Sequence, residues 1–147
     1  MPRVALPVGV DPRQVTEAQL YNFVRDCARQ ASYRLYHTWL SKFSEAGFPD
    51  LVMVRGQRII WAELKGPHGK ASPQQREWLT DLRAVDPDGR GRDVYLWYPN
   101  HMDAIPLVMF GQGPHRDGCP EDTEWRSDSK APEAQWCGVC GRWRLAA

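Results

Sequence analysis

Glu63 and Lys65 stand two residues apart at the end of the run "IIWAELK", and Asp50 stands at the mouth of the preceding run, "DLVMV". If both runs are strands, Glu63 and Lys65 leave one face about 6 to 7 Å apart, and Leu64 between them turns to the core. If the strands pair as a hairpin, Asp50 meets Glu63 across the end of the sheet. Two carboxylates so close repel unless a proton or a cation sits between them. Oxygen ligands of this kind suit Mg²⁺, which takes few protein groups and keeps several waters. Lys65 beside them could orient or deprotonate a water, or stabilise charge developing on a phosphate. The set suits hydrolysis of a phosphodiester.

Two more polar residues extend it. Glu17 lies three residues before Leu20, in line with the apolar stripe Leu20, Val24, Cys27 and Ala31, so it is expected on the inward face of a helix near its start. There it could reach the cation directly or through water, and it would also complement the helix dipole. Gln75, ten residues past Lys65, could hold a water or steady the lysine. It also stands at the capping-box position after Ser72, which accounts for it equally well.

The elements that must position these residues are legible in order. The arm 1–15 opens with "MPRVALPVGV", an extended segment or short edge strand. Thr16 caps a first helix, with Gln19 at its box position. "YRLYHTWL" reads as a strand and "SKFSEAG" as a polar turn. "DLVMV", "RGQR" and "IIWAELK" read as a hairpin. "GPHGKA" reads as a mobile glycine-bounded loop. "SPQQREWLTDLRAV" is a second helix with Ser72 as cap, Pro73 at the first position and a stripe of Trp78, Leu79, Leu82 and Val85. "DPDGRGRD" turns into the strand "VYLWYP", and "MDAIPLVMF" closes as a short helix or strand. Helices around a small mixed sheet make an α/β core over 16–110. Residues 111–135 are polar and rich in Gly, Pro and acids, as a linker or loosely ordered extension would be.

At 147 residues and 42% hydrophobic content, the chain can bury one core and not comfortably two. Its apolar runs are far too short for a membrane span, and no signal peptide opens it, so a soluble cytoplasmic protein is expected. Residues 1–110 carry 14 Lys and Arg against 12 Asp and Glu, a balance that neither demands nor excludes a nucleic acid.

The segments "GFPDLVMV", "IIWAELKGPHGKASPQQREWLTDLRA" and "VYLWYP", with "TEAQ" at the first helix and "YHT" before the loop, resemble the VRR-NUC family of the PD-(D/E)xK nucleases. The resemblance runs from about Thr16 to about Ile105. It implies a restriction-endonuclease-like core in which Pro49-Asp50, Glu63-Leu64-Lys65, Glu17 and Gln75 are the catalytic residues, and Glu17, Asp50 and Glu63 hold Mg²⁺ or Mn²⁺. It further implies a structure-selective endonuclease acting on branched DNA, resembling Holliday junction resolvases and working as a homodimer. A phage-type stand-alone member would act in the cytoplasm of the bacterial host. The alternative is a DNA-binding or packaging accessory that kept the fold without the activity.

A nuclease must also hold backbone phosphates. Lys42, Arg55, Arg58, His68, Lys70, Arg76 and Arg92 are the candidates, with "KGPHGK" the first choice for a loop that touches substrate. His37 could line the site, although a satisfied, partly buried histidine accounts for it as well. In the tail 111–147, Cys137 and Cys140 have C-x₂-C spacing, and His115 and Cys119 supply a second pair. Together they could form a structural Cys₃His zinc site, a zinc knuckle closing a 17-residue loop. A redox dithiol or free thiols would show the same spacing. Cys27, on the inward helix stripe, is expected in the core.

Overall fold

Thr16 starts the first helix, α1 (Glu17–Gln30). Its hydroxyl accepts from the Gln19 amide at 3.2 Å, and Gln19 Oε1 accepts from the Thr16 amide at 2.9 Å, so two free amide donors at the helix start are satisfied reciprocally. The computed structural model describes residues 9–38, 41–56, 58–85, 93–110, 125–127, 134–137 and 143–145. Most of the expected N-terminal arm lies outside them; within it, Pro12–Gln14 form a single 3-10 turn. Ser32 takes a left-handed φ of 62° and turns the chain out of α1.

Four strands follow: β1 (Arg34–His37), β2 (Leu51–Arg55), β3 (Arg58–Leu64) and, after helix α2 (Pro73–Ala84), β4 (Val94–Trp97). They form a sheet of order β1-β2-β3-β4. The first three are antiparallel, with Leu51 opposite Ala62 and His37 opposite Leu51, and β4 runs parallel to β3. A parallel neighbour requires a crossover, which α2 supplies. Gly56, at φ 57°, makes the tight β2–β3 turn. Helix α3 (Ala104–Phe110) resolves the two readings of "MDAIPLVMF" in favour of a helix. This is the expected α/β architecture, a small mixed sheet flanked by helices, and it is consistent with a restriction-endonuclease-like core.

Alternation along β3 separates the two sides of the sheet. Ile60, Ala62 and Leu64 join Leu20, Val24 and Cys27 of α1, Leu51 and Met53 of β2, and Ile105, Val108 and Met109 of α3 in one buried cluster. Trp61 and Glu63 therefore face the other side, toward α2. The α2 stripe is shorter than expected: Leu79 is buried, whereas Val85 caps the C-terminus and is 74% exposed. The helix ends there, so Val85 no longer shares the inward face.

Arg58 ties α3 to the sheet. Its guanidinium reaches Asp93 at 2.8 Å, the Tyr33 hydroxyl at 2.9 Å and the Val108 carbonyl at 2.9 Å. The Tyr33 hydroxyl in turn donates to the Met109 carbonyl at 3.0 Å. Within the tail, β5 (Trp125–Ser127), β6 (Ala134–Cys137) and β7 (Trp143–Leu145) form an antiparallel sheet of order β5-β6-β7, with β5 inside the stretch 111–135 that reads as a linker or loosely ordered extension. Each strand carries a Trp, a residue type favoured in strands, and Trp136 is in register with Trp143. Among the described residues, no helix is long and apolar enough to cross a membrane.

Candidate active site

The loop before β2 is fastened from three sides. Thr38 donates its amide to the Asp50 carbonyl at 2.8 Å and its hydroxyl to the Pro49 carbonyl at 3.1 Å, which extends the β1 ladder to the site. Phe48 meets Trp61 edge-on at 6.0 Å and Trp78 edge-on at 5.2 Å, between β3 and α2. Gly47, at φ 87°, lies so close to the first turn of α2 that a β-carbon there would stand 2.5 Å from the Gln74 carbonyl carbon. Only glycine fits both the dihedral and the space.

So held, Asp50 faces the end of β3. The Asp50 amide donates to Glu63 Oε2 at 3.3 Å, and the Leu64 amide donates to Asp50 Oδ2 at 2.9 Å. Each carboxylate is thus oriented by the other strand's backbone. Lys65 Nζ lies 2.5 Å from Glu63 Oε1, and the Gln75 amide nitrogen donates to the same oxygen. The two readings of Gln75 do not compete, because different atoms serve each: Oε1 accepts from the Ser72 amide at 2.8 Å while the nitrogen contacts Glu63. The Lys65 amide donates to the Trp97 carbonyl at 3.0 Å, which keeps β3 registered on β4 to its last residue. The following turn closes with Gly69 donating to the Gly66 carbonyl at 3.1 Å, and a β-carbon at Gly69 would come within 3.2 Å of Lys65 Cβ.

Glu63 is fully buried. Burial pushes its carboxyl up to about 7; the charge of Asp50 adds to this, and the Lys65 hydrogen bond opposes it. Burial disfavours the Lys65 ammonium, but the hydrogen bond and charge of Glu63, with the charges of Asp50 and Glu17, outweigh it and hold Lys65 above its usual value. Glu17 occupies the first position of α1 and is exposed, not on the inward face, because the buried stripe begins at Leu20. It still borders the site: its backbone nitrogen lies 3.8 Å from where a Gly66 β-carbon would be.

Among the described residues, no three His, Cys, Asp or Glu side chains gather closely enough to cage a metal by themselves. The donor set nevertheless fits a hard divalent cation of the Mg²⁺ kind, which binds through one or two carboxylates and completes its shell with water and substrate phosphate. A buried carboxylate beside a second one is the electrostatic setting that such a cation relieves.

The basic residues divide. His68 and Lys70, in the loop after Lys65, and Arg76, in the first turn of α2, are exposed at the site end of the sheet. Lys42 is exposed in the turn Ser41–Phe43, its ammonium 6.0 Å from the Phe43 ring centroid. Arg55 and Arg58 belong to the opposite end of the hairpin, roughly 17 Å from Glu63 by strand rise for Arg58. Arg55 lies over the Tyr33 ring at 4.5 Å and donates to the Ala31 carbonyl at 3.0 Å, and Arg58 is engaged in the Asp93 network. Their partners turn them inward, away from any surface shared with Glu63. His37 stacks on Tyr21 at 4.2 Å. Arg92, His115, Cys119 and Cys140 lie outside the described residues, and Cys137 ends β6. Cys27 is buried, and burial first, with the Asp26 charge, pushes its thiol up to about 12, as a core cysteine requires. The residues missed by sequence reasoning are the fasteners Thr38, Gly47 and Phe48; the glycine and aromatic directly before Pro49-Asp50 were the available signal.

Compared with known proteins, residues 12–90 match a family model described as the VRR-NUC domain. No curated protein matches the chain, and no solved structure does.

Proposed function

The chain belongs to the VRR-NUC family, a nuclease-type, DNA-processing domain, and on that premise we propose that it is a Mg²⁺- or Mn²⁺-dependent endonuclease that hydrolyses phosphodiester bonds in branched DNA. One observation carries this reading: the buried Glu63 carboxylate, adjacent to Asp50, receives Lys65 and Gln75 on a single oxygen. A structural salt bridge does not need an amide donor on the same oxygen or a second carboxylate at its side. A site that must present one carboxylate in one orientation uses all of them.

Asp50 and Glu63, with Glu17 directly or through water, would hold the cation, which when bound supplies Lewis acidity toward the phosphate and acidifies water. The remaining work belongs to side chains of this chain. Lys65 offers a cationic donor where negative charge develops on the phosphate, and it orients the attacking water. Gln75 keeps Glu63 from rotating while Lys65 is engaged elsewhere. His68, Lys70, Arg76 and Lys42 meet backbone phosphates and fix position without reading sequence. Two copies acting together would present two such sites to a junction with two strands to cut.

The test is cleavage of labelled four-way junction, flap, nicked and plain duplex DNA with Mg²⁺, Mn²⁺ or EDTA, beside Lys65→Ala and Glu63→Ala. Metal-dependent cutting lost in both variants is the expected result. Binding without cutting under every condition would overturn it in favour of a non-catalytic DNA-binding accessory.

A further inference from the structure

The sheet face that carries Glu63 continues past it. The register places Tyr36, Val52 and Trp61 in one row across β1, β2 and β3, and Arg34, Val54 and Ile59 in the next. By strand alternation both rows share the face of Asp50 and Glu63, which lie one period, about 7 Å, beyond the first row. Phe48 and α2 cover Trp61. Val52 is half-buried, whereas Tyr36 is 64% exposed, Val54 42% and Ile59 42%. The only charged residue in the two rows is Arg34, also exposed. An open aromatic ring on an edge strand is a liability for solubility and adds nothing to the core.

We propose that Tyr36 is a stacking platform for an unpaired nucleobase beside the scissile phosphate, so that the substrate carries an unstacked nucleotide at the cut. A polyanion with apolar bases suits a face that joins an exposed ring and apolar strip to a cationic end and is continuous with the carboxylates. Counting one strand spacing across and one period along, Tyr36 lies roughly 8 Å from Asp50, one to two nucleotides of backbone. A base inside a duplex cannot reach the ring, since its faces are already occupied by its neighbours. The platform therefore selects single-strand to duplex boundaries, as in flaps, frayed ends and open junction centres. Only the position of the cut rests on the nuclease reading; stacking itself does not.

The experiment measures binding in EDTA, where nothing is cleaved. A short single-stranded oligonucleotide carrying 2-aminopurine and a blunt duplex are titrated with the unaltered chain, Tyr36→Ala, Tyr36→Trp and Lys65→Ala. Tyr36 is exposed, so its replacement leaves the core alone. The expected result is 2-aminopurine quenching with the unaltered chain, a loss of single-strand affinity of about fivefold to a hundredfold in Tyr36→Ala, retention in Tyr36→Trp, and unchanged duplex affinity. Lys65→Ala should still quench 2-aminopurine in the single strand in EDTA, and in a parallel assay with Mg²⁺ it should fail to cut, so loss of cutting and loss of stacking are read separately. Equal single-strand affinity in Tyr36→Ala overturns the proposal. A change in sedimentation mass in Tyr36→Ala without any change in DNA binding also overturns it, and identifies the face as a contact between copies of the chain.

Discussion

Gly47 and Gln74 touch backbone to backbone: a β-carbon on Gly47 would lie 2.5 Å from the Gln74 carbonyl carbon and 2.7 Å from its oxygen. This contact sets the distance between the loop that delivers Asp50 and the helix that delivers Gln75. It also lets Phe48 insert between Trp61 and Trp78.

Gly47→Ala should therefore cost roughly 2 to 4 kcal/mol, from the positive φ and the displaced helix turn together, and cleavage should fall with it. Gly56→Ala is the control. Its φ of 57° carries a penalty but its β-carbon would meet nothing within 4 Å, so the loss should be nearer about 1 kcal/mol. Equal melting temperatures for the two variants would refute the close-contact account.

Gln75→Glu separates the cap from the site. A glutamate at the third helical position still accepts from the Ser72 amide, so the capping box survives. The amide donor to Glu63 Oε1 is replaced by a like charge. Metal-free thermal stability should fall by about 1 to 3 kcal/mol, from the lost donor and the like charge and not from the cap, while the cleavage rate drops by about tenfold or more. A variant as active as the parent would leave Gln75 with its capping role alone.

Metal-free protein should lose stability as pH rises through the window between the ordinary carboxylate value and about 7, where burial, aided by the charge of Asp50, holds the Glu63 carboxyl. The folded chain binds that proton more tightly than the unfolded chain, so the contribution is present below the unfolded value and declines until Glu63 is fully ionised. Melting in EDTA should be lower at about pH 8 than at about pH 6. Glu63→Gln should abolish that difference, and Mg²⁺ should narrow it. Persistence of the decline in Glu63→Gln would trace it to another group.

Arg58→Ala should act on stability, and Lys70→Ala and Arg76→Ala on DNA affinity. The Arg58–Asp93 pair is partly buried at 2.8 Å with side-chain exposures of 9% and 18%, and Arg58 also holds the Tyr33 hydroxyl and the Val108 carbonyl, so its removal should cost about 2 to 4 kcal/mol. Arg58→Ala protein that remains folded should keep the parent's salt dependence of binding. Each of the other two should lower the salt slope by about one. A reduced slope in folded Arg58→Ala would return that residue to the DNA surface.

For the tail, purified protein is expected to retain about one zinc per chain, lost in Cys137→Ser, with nuclease activity still requiring added Mg²⁺. Metal analysis of the intact chain decides this, and a zinc-free protein with an unaltered melting curve would leave these cysteines as thiols.

Much of the site was legible because strand alternation is a local rule. Glu63, Lys65 and the inward Leu64 followed from a period of two, and both helix starts followed from Thr16 and Ser72 with a glutamine three residues on. The three strands of the tail were not legible, because runs as short as "WRS" and "WRL" carry too little periodicity to stand out from a polar segment. Arg58 was misplaced for a related reason. Its position beside a turn resembles that of a phosphate contact, and nothing nearby in sequence announces Asp93, 35 residues away.

The chain's order of residues thus determined which groups could share a face and where each helix begins, since capping and alternation involve neighbours only. Tertiary structure alone decided that Gln75 serves its cap and Glu63 at once, that Glu17 borders the site from an exposed first turn, and that Tyr36 stays open on the carboxylate face. Those relations depend on the distance between elements, and that distance is set by long-range contacts such as Gly47 against Gln74, which no local pattern encodes.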